Sequence, residues 1–271
     1  MADGRIASGG GGEGGRAVFG PALLGPALVG GFGVAVALWT AWFITHLPWL
    51  GLPESVSIPV LLAVWLAGAV WTGTLAGGGG RAGVVGGLAG LITALVGLLI
   101  LGSKLVEPPG AGDAAGAVRP GAALVAAGFL GLGAVIGAAG GVLGGAVGGR
   151  AGGRAGGQSD RDWLGLFALV ACAAVAPLLF VGGLVTSTNS GMAVPDWPNT
   201  YGSNMFLYPL GPRARPDVYL EHSHRLFGTL VGLAAIVLAG WTVLRDPRRG
   251  IKATALVALA LVVVQGVLGG G

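Results

Sequence analysis

The sequence predicts an all-α fold, a polytopic membrane bundle of about seven transmembrane helices. Three observations carry this prediction. Charged residues make up 10% of the 271-residue chain and hydrophobic residues 54%, whereas soluble domains carry about 25% charged residues. The mean hydropathy is +0.82. The apolar residues are also gathered into runs of the length a bilayer demands, roughly 17 to 25 residues for a helix that crosses the hydrocarbon core.

Seven such runs are present, at Phe19–Thr45, Val56–Leu75, Ala82–Leu101, Ala122–Val147, Leu164–Thr186, His222–Leu244 and Ala253–Gly270. Each contains few or no charges, so each satisfies its backbone polar groups internally only as a helix. The 57 glycines divide into two kinds. Those in polar stretches, Gly9–Gly15 and Gly148–Gly157, make flexible tethers. Those inside apolar runs let helix backbones approach, because association in lipid relies on close packing.

The organisation follows from composition. Residues 1–18 read as a disordered Gly-rich cytoplasmic tail, 19–147 as a four-helix membrane module, 148–162 as a Gly/Arg linker, and 163–271 as a second region of three helices. Lys and Arg alternate between connections in number. Arg5, Arg16, Arg81, Arg150, Arg154, Arg161, Arg245, Arg248, Arg249 and Lys252 fall on one side, and Lys104, Arg119, Arg213, Arg215 and Arg225 on the other. Ten against five places the N-terminus inside. Trp39, Trp42 and Trp49 are expected in one interfacial belt, with Trp71, Trp163 and Trp241 in the other.

Several function classes are excluded or weakened. The net charge of +4 comes from dispersed residues, with no basic patch interleaved with aromatics, so no nucleic acid partner is expected. The single Cys172 allows neither an intramolecular disulfide nor a cysteine zinc cluster. In the first four helices the one candidate ligand is His46, at the outer end of the first helix, and an interfacial histidine is usually structural.

The chemistry gathers in the connection from Ser187 to Leu220 and in the helix that follows. Two prolines around Asp196-Trp197 stiffen the connection, since each fixes its own backbone and extends its predecessor. The next helix opens Glu221-His222-Ser223-His224-Arg225. A spacing of three puts Glu221 and His224 on one face and turns His222 and Ser223 aside. A carboxylate and an imidazole at the membrane edge suit heme, whose iron takes a neutral imidazole axially. The same residues also suit a polar helix start, with Glu221 favoured by the dipole.

The run Thr188-Asn189-Ser190-Gly191-Met192-Ala193-Val194-Pro195-Asp196-Trp197-Pro198, followed by Glu221–Arg225 and then by Gln265-Gly266-Val267-Leu268-Gly269-Gly270, resembles the N-terminal half of the heme A synthase family. The resemblance spans about Leu164 to Gly271. It implies an enzyme of the bacterial cytoplasmic membrane that oxidises the C8 methyl of heme O to a formyl group, giving heme A for terminal oxidases. On the matching positions, Glu221 is the catalytic carboxylate beside the reacting porphyrin edge and His224 the axial ligand of the heme iron. Arg225 binds a propionate or a neighbouring carboxylate, and Asp196 and Trp197 shape the loop over the bound heme. Arg213 or Arg215 meets propionates at the outer surface. The implied cofactor is heme b, with heme O as substrate. Membrane lipid, heme O synthase and terminal oxidase assembly factors are the implied partners.

The chain departs from the family in two ways. Val194 and Thr200 stand where some members carry a cysteine pair, so thiol chemistry is not expected. The family is also built as two four-helix halves with two histidines each, whereas this sequence stops after the third helix of the first half. An incomplete, inactive enzyme is therefore expected. The alternatives are a non-catalytic module that holds heme on His224 with His46 or His222, and a structural membrane scaffold.

Overall fold

The computed structural model describes residues 21–106, 118–151, 161–208, 210 and 214–270. The expected tail and residues 152–160 of the expected linker lie outside the described residues. Seven helices among them are long and apolar enough to cross a membrane. They are α1 (Pro21–Thr45), α2 (Glu54–Ala76), α3 (Gly80–Leu101), α4 (Ala122–Ala151), α5 (Trp163–Ser187), α6 (Pro216–Arg245) and α7 (Arg249–Gly270). A short 3-10 turn, Gly102–Leu105, extends α3. The protein is thus an all-α polytopic membrane bundle.

Local chemistry explains several helix ends. Pro26 lies inside α1 and cannot donate to the carbonyl one turn before it. That carbonyl, Ala22 O, instead accepts from Arg81 Nη2 at 2.7 Å. At the start of α5 the Asp162 side chain accepts from Gly165 N at 2.8 Å and satisfies one of the free amides there. Past the end of α6, Arg248 Nη2 meets Asp246 Oδ2 at 2.6 Å, which closes the three-residue turn into α7.

The helices alternate in direction. The contacts Arg81 to Ala22 and Arg161 to Leu75 gather the start of α1, the end of α2 and the starts of α3 and α5 on one side. On the opposite side, the Phe206 carbonyl of the α5–α6 connection sits against Gly102 at the end of α3.

Helices α2, α3 and α4 approach backbone to backbone. A Cβ at Gly86 would run into the carbonyl of Gly137, one at Gly90 into that of Gly133, and one at Gly144 into that of Val70. The expected packing role of glycine is realised here, where absent side chains let dispersion contacts form without lipid between them.

A second core joins α1 to α5 and α6. Phe32 meets Phe167 edge-on at 5.2 Å, and Phe43 stacks on Tyr219 at 5.6 Å. The Tyr219 hydroxyl donates to Phe43 O at 2.7 Å, satisfying a phenol that is otherwise wholly buried. Trp39 and Trp42 belong to this core rather than to an interfacial belt, being 2% and 9% exposed. Trp49 and Trp71 are exposed, as a belt position requires. Helix α7 packs on α6 and buries none of its residues fully.

One boundary differs from the sequence expectation. Helix α6 begins at Pro216, six residues before His222. Proline is suited to this first position because its fixed backbone angle is already helical and it has no amide to leave unpaired. The carboxylate in the first turn is Asp217, so Glu221 lies beyond the turn where the helix dipole would favour it.

Candidate heme site

The α5–α6 connection folds over the start of α6 and is tied to it by one guanidinium. Arg225 Nη1 donates to Asp196 O at 2.5 Å and to Asn199 O at 3.0 Å. Its Nη2 donates to Val194 O at 3.1 Å and to Glu221 Oε1 at 2.6 Å. Only a planar fork reaches four acceptors in this way. The second carboxylate oxygen, Glu221 Oε2, accepts from Val194 N at 2.7 Å. Carboxylate and guanidinium are 7% and 14% exposed, so the pair is buried and its charges are compensated by one another and by the loop backbone.

The loop itself is organised by Asp196. Its two carboxylate oxygens accept from the amides of Tyr201 and Gly202, each at 2.7 Å. Tyr201 and Gly202 both have positive φ, 50° and 75°. They form the tight turn between two short antiparallel strands, β1 (Asn199–Thr200) and β2 (Ser203–Asn204). The Tyr201 hydroxyl donates back to Ala193 O, and the Trp197-Pro198 peptide is cis.

Burial raises the Asp196 carboxyl, but the amide donations of Gly202 and Tyr201 outweigh it and hold the group below its ordinary value of 3.8. The contribution of these bonds is therefore full above that value and lost as pH falls through the lowered one. Asp196→Asn leaves a single acceptor oxygen for two amides. We expect a loss of about 1 kcal/mol or less at this partly exposed site, seen as faster proteolysis near Tyr201 with little change in global melting.

The two histidines after Glu221 part company. His222 turns into the loop, where it is buried, with Nδ1 3.1 Å from Thr200 Oγ1 and its ring 5.3 Å from that of Tyr208. His224 turns to α5, and a Cβ at Gly182 would lie 2.8 Å from its Cε1. Its Nδ1 is buried and makes no hydrogen bond of ordinary length. Trp197 is 47% exposed and lies against the backbone of Gly270, where a Cβ would run into the indole.

Arg215 is exposed and pairs with Asp217 at 2.6 Å, while Arg213 lies outside the described residues. His46 stacks on Trp42 at 5.1 Å with Nδ1 2.9 Å from Trp42 O. Burial lowers its pKa, and the nearby Lys104 charge acts the same way, against the opposing pull of the Trp42 carbonyl and Glu54. That is the behaviour of a helix-end histidine held neutral by packing.

The donor set fits heme better than a hydrated metal ion. Among the described residues no group of three or more His, Cys, Asp and Glu comes together. His224 offers one imidazole, which is the donor an axial heme position takes. Gly182, which makes room for that ring, carries no chemistry of its own. Its only signal in the sequence is the Gly182-Gly183 pair near the end of an otherwise bulky run. Thr200, the partner of His222, has no local signal, because it lies 22 residues away in the chain.

Comparison with known proteins adds to this geometry. A family model described as "Cytochrome oxidase assembly protein" matches residues 165–270. The protein named "Heme A synthase" of Alkalihalophilus pseudofirmus is 33% identical over 111 residues, 40% of this chain and 35% of that protein. That of Exiguobacterium sibiricum is 33% identical over 110 residues, with the same shares. "Heme A synthase COX15" of Bos taurus is 31% identical over 135 residues, 39% of this chain and 32% of that protein. The chain spans about a third of the length of the curated relatives it matches. No solved structure matches.

Proposed function

We propose, from the similarity of residues 165–270 to proteins named heme A synthase, that this region binds heme O on His224 and takes part in oxidising its C8 methyl group to a formyl group. The observation that carries the proposal is the pairing of a clamped carboxylate with an imidazole on adjoining faces of α6. Glu221 is fixed by Arg225 and Val194 N, and the His224 imidazole lies one turn away, turned toward α5 beside Gly182 and the Leu178 backbone. Converting –CH3 and one water into –CHO releases four protons and four electrons, which an acceptor outside this chain would take, and heme would supply the redox chemistry when bound.

The chain's own residues hold and orient. His224 would hold the heme through its imidazole. Glu221 would set its carboxylate beside the bound heme, where it could stabilise developing positive charge. Arg225 holds that carboxylate in place and pins residues 194–199 above it, so that the loop limits water. His222, engaged with Thr200, stabilises the loop. Heme b is the resident cofactor this reading assigns to the whole enzyme. The excess of Lys and Arg on the other side of the bundle supports a site on the outer face, in a membrane this reading takes to be the bacterial cytoplasmic one.

The test is co-expression with a heme O synthase in a host that makes no heme A, followed by mass spectrometry of hemes extracted from the purified protein. Heme O with its hydroxylated or formylated product is expected. His224→Ala should reduce bound heme at least tenfold, and Glu221→Gln should keep heme but lose the oxidised product. Unaltered heme O as the sole species would leave a heme-holding protein without the reaction. Full heme content in His224→Ala would remove the assigned ligand.

A further inference from the structure

The turn from α6 into α7 carries four cations and one acid in eight residues, Arg245-Asp246-Pro247-Arg248-Arg249-Gly250-Ile251-Lys252. The acid is already used. Arg248 holds Asp246 through Nε at 3.0 Å and Nη2 at 2.6 Å, and its amide donates to the same carboxylate at 2.8 Å. Asp162, the other acid on this side among the described residues, accepts from Gly165 N and faces Arg248. Arg81 and Arg161, cations of the same side, each donate to a backbone carbonyl. Among the described residues the side chains of Arg245, Arg249 and Lys252 make no hydrogen bond and no ion pair. Arg245 and Arg249 are exposed and Lys252 is half-buried.

These three cations stand at the edge of an apolar surface. Leu244 is 80% exposed, Ile251, Leu256 and Val257 are exposed as well, and α7 buries none of its residues fully. Trp241 and Arg245 are one turn apart on α6, and Lys252 and Leu256 one turn apart on α7. Each helix thus ends in a cation and continues into apolar side chains along the same face. In a bilayer the cations reach the headgroup level while the apolar residues lie among the acyl chains.

We propose that this turn binds the phosphate of an anionic phospholipid, whose acyl chains lie along the exposed faces of α6 and α7. Charge complementarity selects the headgroup. The turn offers three uncommitted cations for phosphate oxygens and no free acid, so a zwitterionic headgroup would bring an ammonium that finds no partner. The apolar continuation selects a lipid over a soluble phosphate, which would use the cations alone. No residue of the candidate heme site takes part, so this proposal and the heme reading stand or fall separately.

The full chain, purified in a neutral detergent, is titrated with dioleoylphosphatidylglycerol or dioleoylphosphatidylcholine, and the lipid retained per chain is counted by native mass spectrometry. Saturable retention of phosphatidylglycerol is expected, with an affinity at least tenfold above that for phosphatidylcholine. Arg245→Gln/Arg249→Gln should weaken it at least tenfold. Lys104→Gln/Arg119→Gln removes the same charge from the opposite side and should leave it unchanged. Inorganic phosphate in large excess should not displace the lipid. Equal retention of the two lipids would overturn the proposal. So would an affinity that Arg245→Gln/Arg249→Gln leaves unaltered, equal weakening by the two double variants, or displacement by inorganic phosphate.

Discussion

Arg225→Met should cost about 3–5 kcal/mol, because it strips a buried carboxylate of its countercharge and releases the loop in the same step. Glu221 keeps the Val194 amide, but a single neutral donor does not compensate a charge that is only 7% exposed. The carbonyls of Val194, Asp196 and Asn199 lose their shared donor. A drop in melting temperature on the order of ten degrees in detergent is expected, together with protease sensitivity between residues 194 and 204. Arg225→Lys should recover little, since one ammonium cannot reach four acceptors spread over two segments. Glu221→Gln/Arg225→Met should be more stable than Arg225→Met alone, because the uncompensated charge is gone. Equal stability of the single and double variants would show that the pair is not electrostatically coupled and that Arg225 acts through the loop carbonyls alone.

The seven spans were legible because a bilayer leaves no alternative to long apolar helices, and their order and approximate limits follow from hydropathy alone. The first turns of α6 were not. Pro216 and Asp217 look like loop because they are polar or helix-breaking and precede the apolar run. The divergence of His222 from His224 was legible in the spacing, but their partners were not. Helical spacing shows which way each side chain points, but not that Thr200 waits on one side and Gly182 on the other. Trp39 and Trp42 misled for a different reason. Tryptophan near a helix end suits an interfacial belt, yet an indole facing another helix is a core residue, and only the packing of α1 on α6 separates the two. The Glu221–Arg225 pair, by contrast, was visible as an i,i+4 spacing, and its neighbouring-carboxylate reading is the one the geometry adopts.

Gly137→Ala and Gly131→Ala, two identical changes in α4, should move stability in opposite directions. Ala is the better helix former, and where nothing opposes the new methyl the gain reaches about 1 kcal/mol. Gly131 is such a position, with no atom within 4 Å of the added Cβ. At Gly137 the Cβ would run into the carbonyl of Gly86 and lie 2.8 Å from Gly90 Cα. Both obstacles are backbone, so no rotamer change relieves them, and α3 and α4 must separate along their whole crossing. Overpacking of this kind costs about 1–3 kcal/mol. The upper end is expected, because the close contacts of Gly90 with Gly133 and of Gly141 with Ala82 on the same seam would open too. Thermal unfolding in detergent measures the two variants side by side. If Gly137→Ala proves as stable as Gly131→Ala, the α3–α4 seam is looser than the backbone contacts require.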